Sequence, residues 1–228
     1  MFEPDQYLDL DQTDHRRLFE GCVQVWEALS KIKTYLQEEA RSERHHTEKG
    51  RVHIEGTVFI GEGTVVEDGA MIVGPTIIGR NCQIRHNAYV RGNVLIGNNC
   101  VVGNATELKS AVLFNNCAVP HFNYVGDSIL GYRAHLGAGV KISNVKLMPG
   151  NVLIQPHSDS PSMDTGLRKF GAILGDYAEV GCNSVLNPGT ILGRSAVLYP
   201  CTNWRGVLEA NQIAKTTGPV SVFERESR

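Results

Sequence analysis

The sequence has no long apolar run, no surplus of either charge, no closely paired cysteines and few aromatic rings. No stretch reaches the ~18 consecutive apolar residues of a membrane-crossing helix, so no bilayer partner is expected. Lys and Arg number 22 against 24 Asp and Glu, a net charge of -2. Nucleic-acid binders show a basic surplus, so that class is set aside. The cysteines, Cys22, Cys82, Cys100, Cys117, Cys182 and Cys201, form no C-x-x-C pair. That spacing argues against a zinc ribbon or a disulfide scaffold and predicts buried free thiols. Met1-Phe2-Glu3-Pro4-Asp5 is acidic and starts no apolar stretch. No secretory leader is read there, and a cytoplasmic location is expected.

Hydrophobic residues make up 42% of the chain and charged residues 20%, enough for one packed domain with a small appendage. Glycine stands out at 24 of 228 residues, above the ordinary ~7%. With aromatics at only 7%, many glycines point to short strands and tight turns. Residues 14–40 are expected to be helical. Leu18, Cys22, Val25, Trp26, Leu29, Ile32 and Leu36 recur at helical spacing, with Thr13 or Asp14 as cap. Residues 41–51 are polar or glycine and read as a linker, with His45-His46 solvated rather than metal-binding.

From residue 52 the period becomes six. Ile54, Ile60, Val66, Ile72, Ile78, Ile84, Val90, Ile96, Val102, Leu108 and Phe114 fall at six-residue steps. The phase slips between 114 and 124, then resumes at Tyr124, Leu130, Leu136 and Ile142, and again from Leu174 to Leu198. A six-residue period fits neither a helix nor a two-faced strand; it is the repeat of a parallel β-helix. Three short strands make one triangular coil, so residues 18 apart stack. Gly61, Gly79 and Gly97 obey this, as do Asn81 and Asn99, and Cys82 and Cys100. Residues 147–171 interrupt the repeat and carry Pro156, Ser158, Ser160, Pro161, Ser162 and Gly166, so an excursion loop is expected. The expected division is an N-terminal helix and linker at 1–50, a β-helix at 51–204 and a tail at 205–228, frayed from 217.

The position after the inward residue is often glycine, yet it is Arg91 and Lys109 in two places 18 apart. Stacked cations repel unless an anion lies between them, and a phosphate suits both. Neutralisation by neighbours such as Glu107 is the other reading. Further on, Val119-Pro120-His121-Phe122-Asn123-Tyr124-Val125-Gly126-Asp127 sits where the repeat slips, followed by Ala134-His135-Leu136-Gly137-Ala138-Gly139 and Ser143-Asn144. A slip can turn side chains out of the regular pattern, which singles out His121 and Tyr124.

These features resemble the hexapeptide-repeat acyltransferases, all-β left-handed parallel β-helices, over about residues 52–204. The stretch His121–Gly139 is similar to the acetyltransferase domain of the bifunctional enzymes that make UDP-N-acetylglucosamine. Residues Asp164 to Asp176, with Asn183 and Asn187-Pro188-Gly189, resemble the β-helix tail of sugar-1-phosphate nucleotidylyltransferases. The resemblance implies acetyl-CoA-dependent N-acetylation of an amino-sugar 1-phosphate in nucleotide-sugar biosynthesis, by a homotrimer with its coenzyme between subunits. It implies His121 as general base, with Asn144 and Tyr124 orienting the sugar. Arg91 and Lys109 would hold the phosphate, and Glu107 and His135 would lie at the substrate. Ala138, Gly139 and Cys182 would lie at the coenzyme, with main-chain N–H groups of 137–139 on the thioester oxygen. His135, Cys182 and Pro200 depart from the family's Asn, Ser and Ala. No metal is required. The apolar stripe of the 14–40 helix adds to the trimer expectation, because it needs a surface to cover it. Two other readings stay open: a non-catalytic sugar-phosphate or nucleotide-sugar binding protein, and a γ-type carbonic anhydrase with His86, His121 and His135 as metal ligands.

Overall fold

Each repeat contributes two inward side chains, a large aliphatic and, two residues earlier, a small one. The small position is Ala70, Thr76, Cys82, Ala88, Cys100, Thr106 or Cys117, all buried. The large one is Ile72, Ile78, Ile84, Val90 or Val102, none exposed. A strand with one large and one small inward residue fits the taper of a narrow triangular coil. The computed structural model describes residues 2–155, 161–215 and 218, and its strands wind a left-handed parallel β-helix preceded by a helical segment. Left-handed winding departs from the usual right-handed crossover. Pro156, Ser158 and Ser160 of the excursion lie outside the described residues, as does all of 217–228 apart from Gly218.

The prism has three faces. The first runs from Thr47–Lys49 through Val101–Asn104, Ala118–His121 and His135–Leu136 to Ile213–Ala214. The second includes Met71–Val73, Tyr89–Val90, Lys141–Ile142 and Val185–Leu186. The third includes Thr76–Ile78, Val94–Ile96, Ala172–Leu174 and Thr190–Leu192. Strands therefore extend past both ends of the 51–204 window: Thr47–Lys49 pairs with Val65–Glu67, and Val207–Leu208 and Ile213–Ala214 continue the stack. The polar run at 41–51 is thus partly a strand. His46 turns its ring out of solvent and contacts Glu48 at 3.0 Å, instead of lying free in a linker.

The slip differs from expectation. Tyr89 pairs with Glu107, a step of 18, but Glu107 pairs with Tyr124 and Ala111 with Val94, steps of 17. One residue is missing at the corner between the second and third faces, and one again in the next coil. The strands Glu107–Leu113 and Tyr124–Leu130 continue round that corner without a break, turning at Ser110 and Asp127, each at φ +47°, and join the two faces into one sheet. Leu113 and Val125, not Phe114 and Tyr124, are the residues in register. At the same corner of the following coil the chain leaves the stack after Ser143 and rejoins it at Gly171, and among the described residues between them Leu153–Ile154 and Met163–Asp164 form an antiparallel pair.

The helical segment differs too. Pro4–Tyr7 forms α1, and α2 spans only Glu27–Glu39; between them lie short 3-10 turns. Gly21 takes φ +69° and the Val25 N–H donates to the Phe2 carbonyl, which turns the chain where a helix would continue. The apolar spacing persists because Leu18, Val25, Trp26, Ile32 and Leu36 are all buried in one layer. Helix α2 lies across the strands Val94–Ile96, Glu107–Leu113 and Tyr124–Leu130. Phe19 meets Phe114 edge-on at 5.6 Å, and Trp26 meets Phe170 at 6.2 Å. The third face is apolar on its outer side as well, with Ile77, Leu95, Val112, Ile129, Ile173 and Ile191 buried. The stripe of α2 is thus covered within its own chain and gives no reason for a partner. Of the cysteines, Cys82, Cys100 and Cys117 are buried, Cys22 is half-buried, and Cys182 and Cys201 are exposed, against the expectation of uniform burial.

This packing can be tested at two positions. A Cβ at Gly103 would overlap the Pro120 carbonyl of the next coil. Gly103→Ala should therefore destabilise the protein by about 1–3 kcal/mol or more, measured by denaturant unfolding; an unchanged midpoint would show that the coils can part there. The second position is His15, whose half-buried ring meets the Tyr35 hydroxyl at 2.9 Å. Burial lowers its pKa, with Asp14 and Glu39 opposing. The folded state thus binds its proton less well than the unfolded chain. Its contribution is intact above about pH 6.5 and fades as pH falls below that value. The stability advantage of wild type over His15→Gln should shrink between pH 7 and pH 5; a constant gap would uncouple His15 from acid sensitivity.

Candidate functional site

The two shortened corners set the site. Arg91 stacks below Lys109, and Lys109 pairs with Gly126 of the coil above. The stacking inferred from the 18-residue spacing is therefore present, but the cations are not bare. Arg91 Nη1 lies 2.7 Å from Glu107 Oε1, and Lys109 Nζ lies 3.2 Å from Asp127 Oδ2. The same Asp127 oxygen accepts a short hydrogen bond from Asn144 Nδ2. Asp127 takes φ +47° at the cut corner, which turns its carboxylate back across the second face.

Tyr124 completes the cluster. A Cβ on Gly126 would lie 2.8 Å from Tyr124 Oη and 2.9 Å from Asn144 Nδ2, so only glycine lets both approach. Burial pushes the Tyr124 pKa up, and the charges of Glu107 and Asp127 add to this; Arg91 and the hydrogen bond from Asn144 oppose it. The phenol keeps its proton at neutral pH and can donate a hydrogen bond.

His121 ends the first-face strand Ala118–His121; the chain turns at Phe122, φ +54°, and Tyr124 opens the second face, so the two stand within about 10 Å of each other across that corner. It is exposed. It pairs with Asn104 below. Above it come Ala138 and then Cys182: the Gly139 N–H donates to the His121 carbonyl, and the Asn183 N–H to that of Ala138. The N–H groups of Gly137 and Gly139 are engaged between coils, so the group expected on a thioester oxygen narrows to the Ala138 N–H between them. Asn123 ties this corner together. Its buried amide accepts from the His121 N–H at 3.1 Å and donates to the Gly137 carbonyl at 2.8 Å.

His135 lies apart, exposed on the first face with Ala118 below and Glu179 above. With Cys182, Tyr199 and Pro200 it lines a shallow, mainly apolar cleft of about 270 Å³. The structure thus joins Arg91, Glu107, Lys109, Tyr124 and Asn144 in one cluster, and groups His121, Ala138, Gly139 and Cys182 along one corner. His135 is outside the cluster. His86 shares the corner of His121 but two coils below, roughly 10 Å away at ordinary strand spacing. Among the described residues no three His, Cys, Asp or Glu side chains converge as metal ligands, and no helix is long and apolar enough to cross a membrane.

Two residues of the site carry no expectation from the sequence. Asp127 belongs to the motif, but neither spacing nor resemblance gives it a role. Asn123 occupies the small inward slot that in neighbouring coils holds Ala, Thr, Cys, Ser or Val, and an amide in that slot is the available signal.

With this geometry in hand, comparison with known families places the chain. The GMPPB C-terminal domain profile matches residues 72–203. The chain belongs to that family. It is a hexapeptide-repeat left-handed β-helix of the acyltransferase type. A bifunctional sugar-1-phosphate nucleotidylyltransferase/acetyltransferase of Sulfurisphaera tokodaii is 29% identical over 175 residues, 77% of this chain and 43% of that protein. The bifunctional protein GlmU of Methanococcus maripaludis is 33% identical over 147 residues, 64% of this chain and 35% of its own. The chain thus spans less than half the length of these family relatives. The uncharacterised acetyltransferase YaiX of Escherichia coli is 35% identical over 68% of this chain and 65% of its own. A solved UDP-N-acetylglucosamine acyltransferase from Campylobacter jejuni aligns over 70% of this chain and 68% of its own, at 10% identity and a TM-score of 0.42. An alignment that loose adds nothing about the site.

Asn123→Ala removes the amide and leaves the Gly137 carbonyl without that donor. It should cost about 1–3 kcal/mol in unfolding free energy. Wild-type stability in this variant would mean that the corner holds without the amide.

Proposed function

We propose that the protein transfers the acetyl group of acetyl-CoA to the amine of a hexosamine 1-phosphate, of the glucosamine or galactosamine type, as a step in nucleotide-sugar biosynthesis. The observation that carries this reading is the exposed imidazole of His121 at the edge of a face where Tyr124, Asn144, Lys109 and Arg91 converge. Family membership supports it. In this reading His121 takes a proton from the sugar ammonium, and the freed amine attacks the thioester carbonyl. The Ala138 N–H, one coil above, steadies the oxygen as its charge develops. The attacking nitrogen then loses its second proton and the C–S bond breaks; of the two protons, one passes by way of His121 to the departing CoA sulfur and the other goes to solvent. Tyr124 and Asn144 orient the sugar, Arg91 and Lys109 meet its phosphate, and Glu107 and Asp127 accept from hydroxyls. Ala138, Gly139 and Cys182 border the coenzyme, and no step needs a metal. A homotrimer would set the first-face cleft at His135 and Cys182 against a neighbouring subunit, inside the cell where acetyl-CoA is found.

The binding-protein reading is favoured by one observation: both cations already carry carboxylate partners. Turnover decides between them. Wild type should release CoA thiol from acetyl-CoA with glucosamine 1-phosphate or galactosamine 1-phosphate. His121→Ala should lower kcat by roughly 10²–10⁴ with little change in KM. Lys109→Ala should raise the acceptor KM about tenfold. Binding of both sugar phosphates without any thiol release would favour the non-catalytic reading, and an unchanged kcat in His121→Ala would remove that residue from the chemistry.

A further inference from the structure

Beyond the cut corners, the second face opens into a separate cleft of about 520 Å³ beneath the start of the excursion. Its size falls within the ordinary range of small-molecule sites, about 300–1,000 Å³. Ser143 forms its near wall, and the neighbouring Asn144 reaches back to Asp127. Leu147 and Met148 of the excursion and Pro188 give it apolar walls, and Lys146 and Arg205 supply its charge. Among the described residues no Asp or Glu lines it.

The charge balance sets this cleft apart from the cluster beside it. Arg91 and Lys109 are each neutralised by a carboxylate. Among the described residues, neither Lys146 nor Arg205 has a salt-bridge partner or a hydrogen-bond acceptor. An anion entering at Lys109 must share it with Asp127, whereas one entering here displaces no partner among the described residues. Two unpaired cations call for a ligand with more than one negative charge. Apolar walls call for a flat or apolar body attached to it. Leu147 and Met148 are themselves exposed, so burying them against such a body is favourable.

We propose that this cleft binds a nucleoside diphosphate group, the phosphates on Lys146 and Arg205 and the base against Leu147, Met148 and Pro188. That chemistry has two sources: the adenosine diphosphate part of a coenzyme A, or a nucleotide-sugar. The assignment rests on the cleft and not on acetyl transfer, so it is tested by binding alone.

Calorimetry with ADP is the first measurement. ADP should bind wild type, with affinity falling as salt rises. Lys146→Ala and Arg205→Ala should each weaken it about tenfold, while Arg91→Ala should leave it unchanged. Coenzyme A and a UDP-hexose are then compared. Whichever binds more tightly than ADP, and loses that gain in the Lys146→Ala/Arg205→Ala double variant, is the source of the group. The assignment is overturned if ADP, coenzyme A and UDP-hexose all fail to bind. It is equally overturned if the Lys146 and Arg205 variants bind as wild type does, or if Arg91→Ala is the variant that loses ADP. Failure of acetyl transfer with ADP binding intact would count against the catalytic reading only.

Discussion

The structure depends on the stacking of one coil on the next through parallel backbone hydrogen bonds. That contact fixes which residues align, and it tolerates change only at corners. Within a strand, a missing residue would send inward side chains outward. At a corner, the loss is absorbed by a tighter turn, with Ser110 and Asp127 each at φ +47°. The protein uses this freedom at one edge, between the second and third faces, in three successive coils. Two coils are each a residue short there, and the third releases the excursion. Every side chain of the Arg91–Asn144 cluster lies on these coils or on the one below them.

The same stacking accounts for the N-terminal segment. An open β-helix normally turns polar side chains outward, yet the third face carries aliphatics on its outer side. A face buried on both sides reads as an unbroken apolar run rather than an alternating one. Val94-Leu95-Ile96 and Ala172-Ile173-Leu174 are such runs, and they mark a face that some other part of the chain must cover. The buried Asp176 ties the cover down by accepting from the Asp9 and Tyr132 N–H groups, with Arg194 beside it.

The fold is legible in the sequence because a six-residue period over so many repeats has few physical alternatives. The partnership of Arg91 with Lys109 is legible for the same reason, since stacking follows from arithmetic. The positions of the cuts are not. An aliphatic or aromatic residue at 114 and 124 satisfies a six-residue count as well as Leu113 and Val125 do, so the period alone cannot tell in-register residues from their neighbours. The helix start is obscured for a related reason: Leu18, Val25 and Trp26 are buried at helical spacing without belonging to α2. Glycine at 21 is the local signal against a continuous helix.

The charge pattern of the cluster bears on what it can recognise. Arg91, Glu107, Lys109 and Asp127 alternate in sign along the face and sum to zero. A site built only to attract a phosphate would leave its cations bare. An alternating set instead offers acceptors and donors side by side, which suits a ligand that carries hydroxyls or an amine next to an anion. Such a ligand exchanges partners rather than filling a vacancy: its phosphate takes a share of Lys109 while its hydroxyls take a share of Asp127. A simple anion can do only half of this. The cluster therefore discriminates by the spacing of groups on the ligand more than by charge, and it stays hydrogen-bonded when empty. Tyr124, kept protonated by its burial and by the carboxylates beside it, adds a donor whose partner is set by that same spacing.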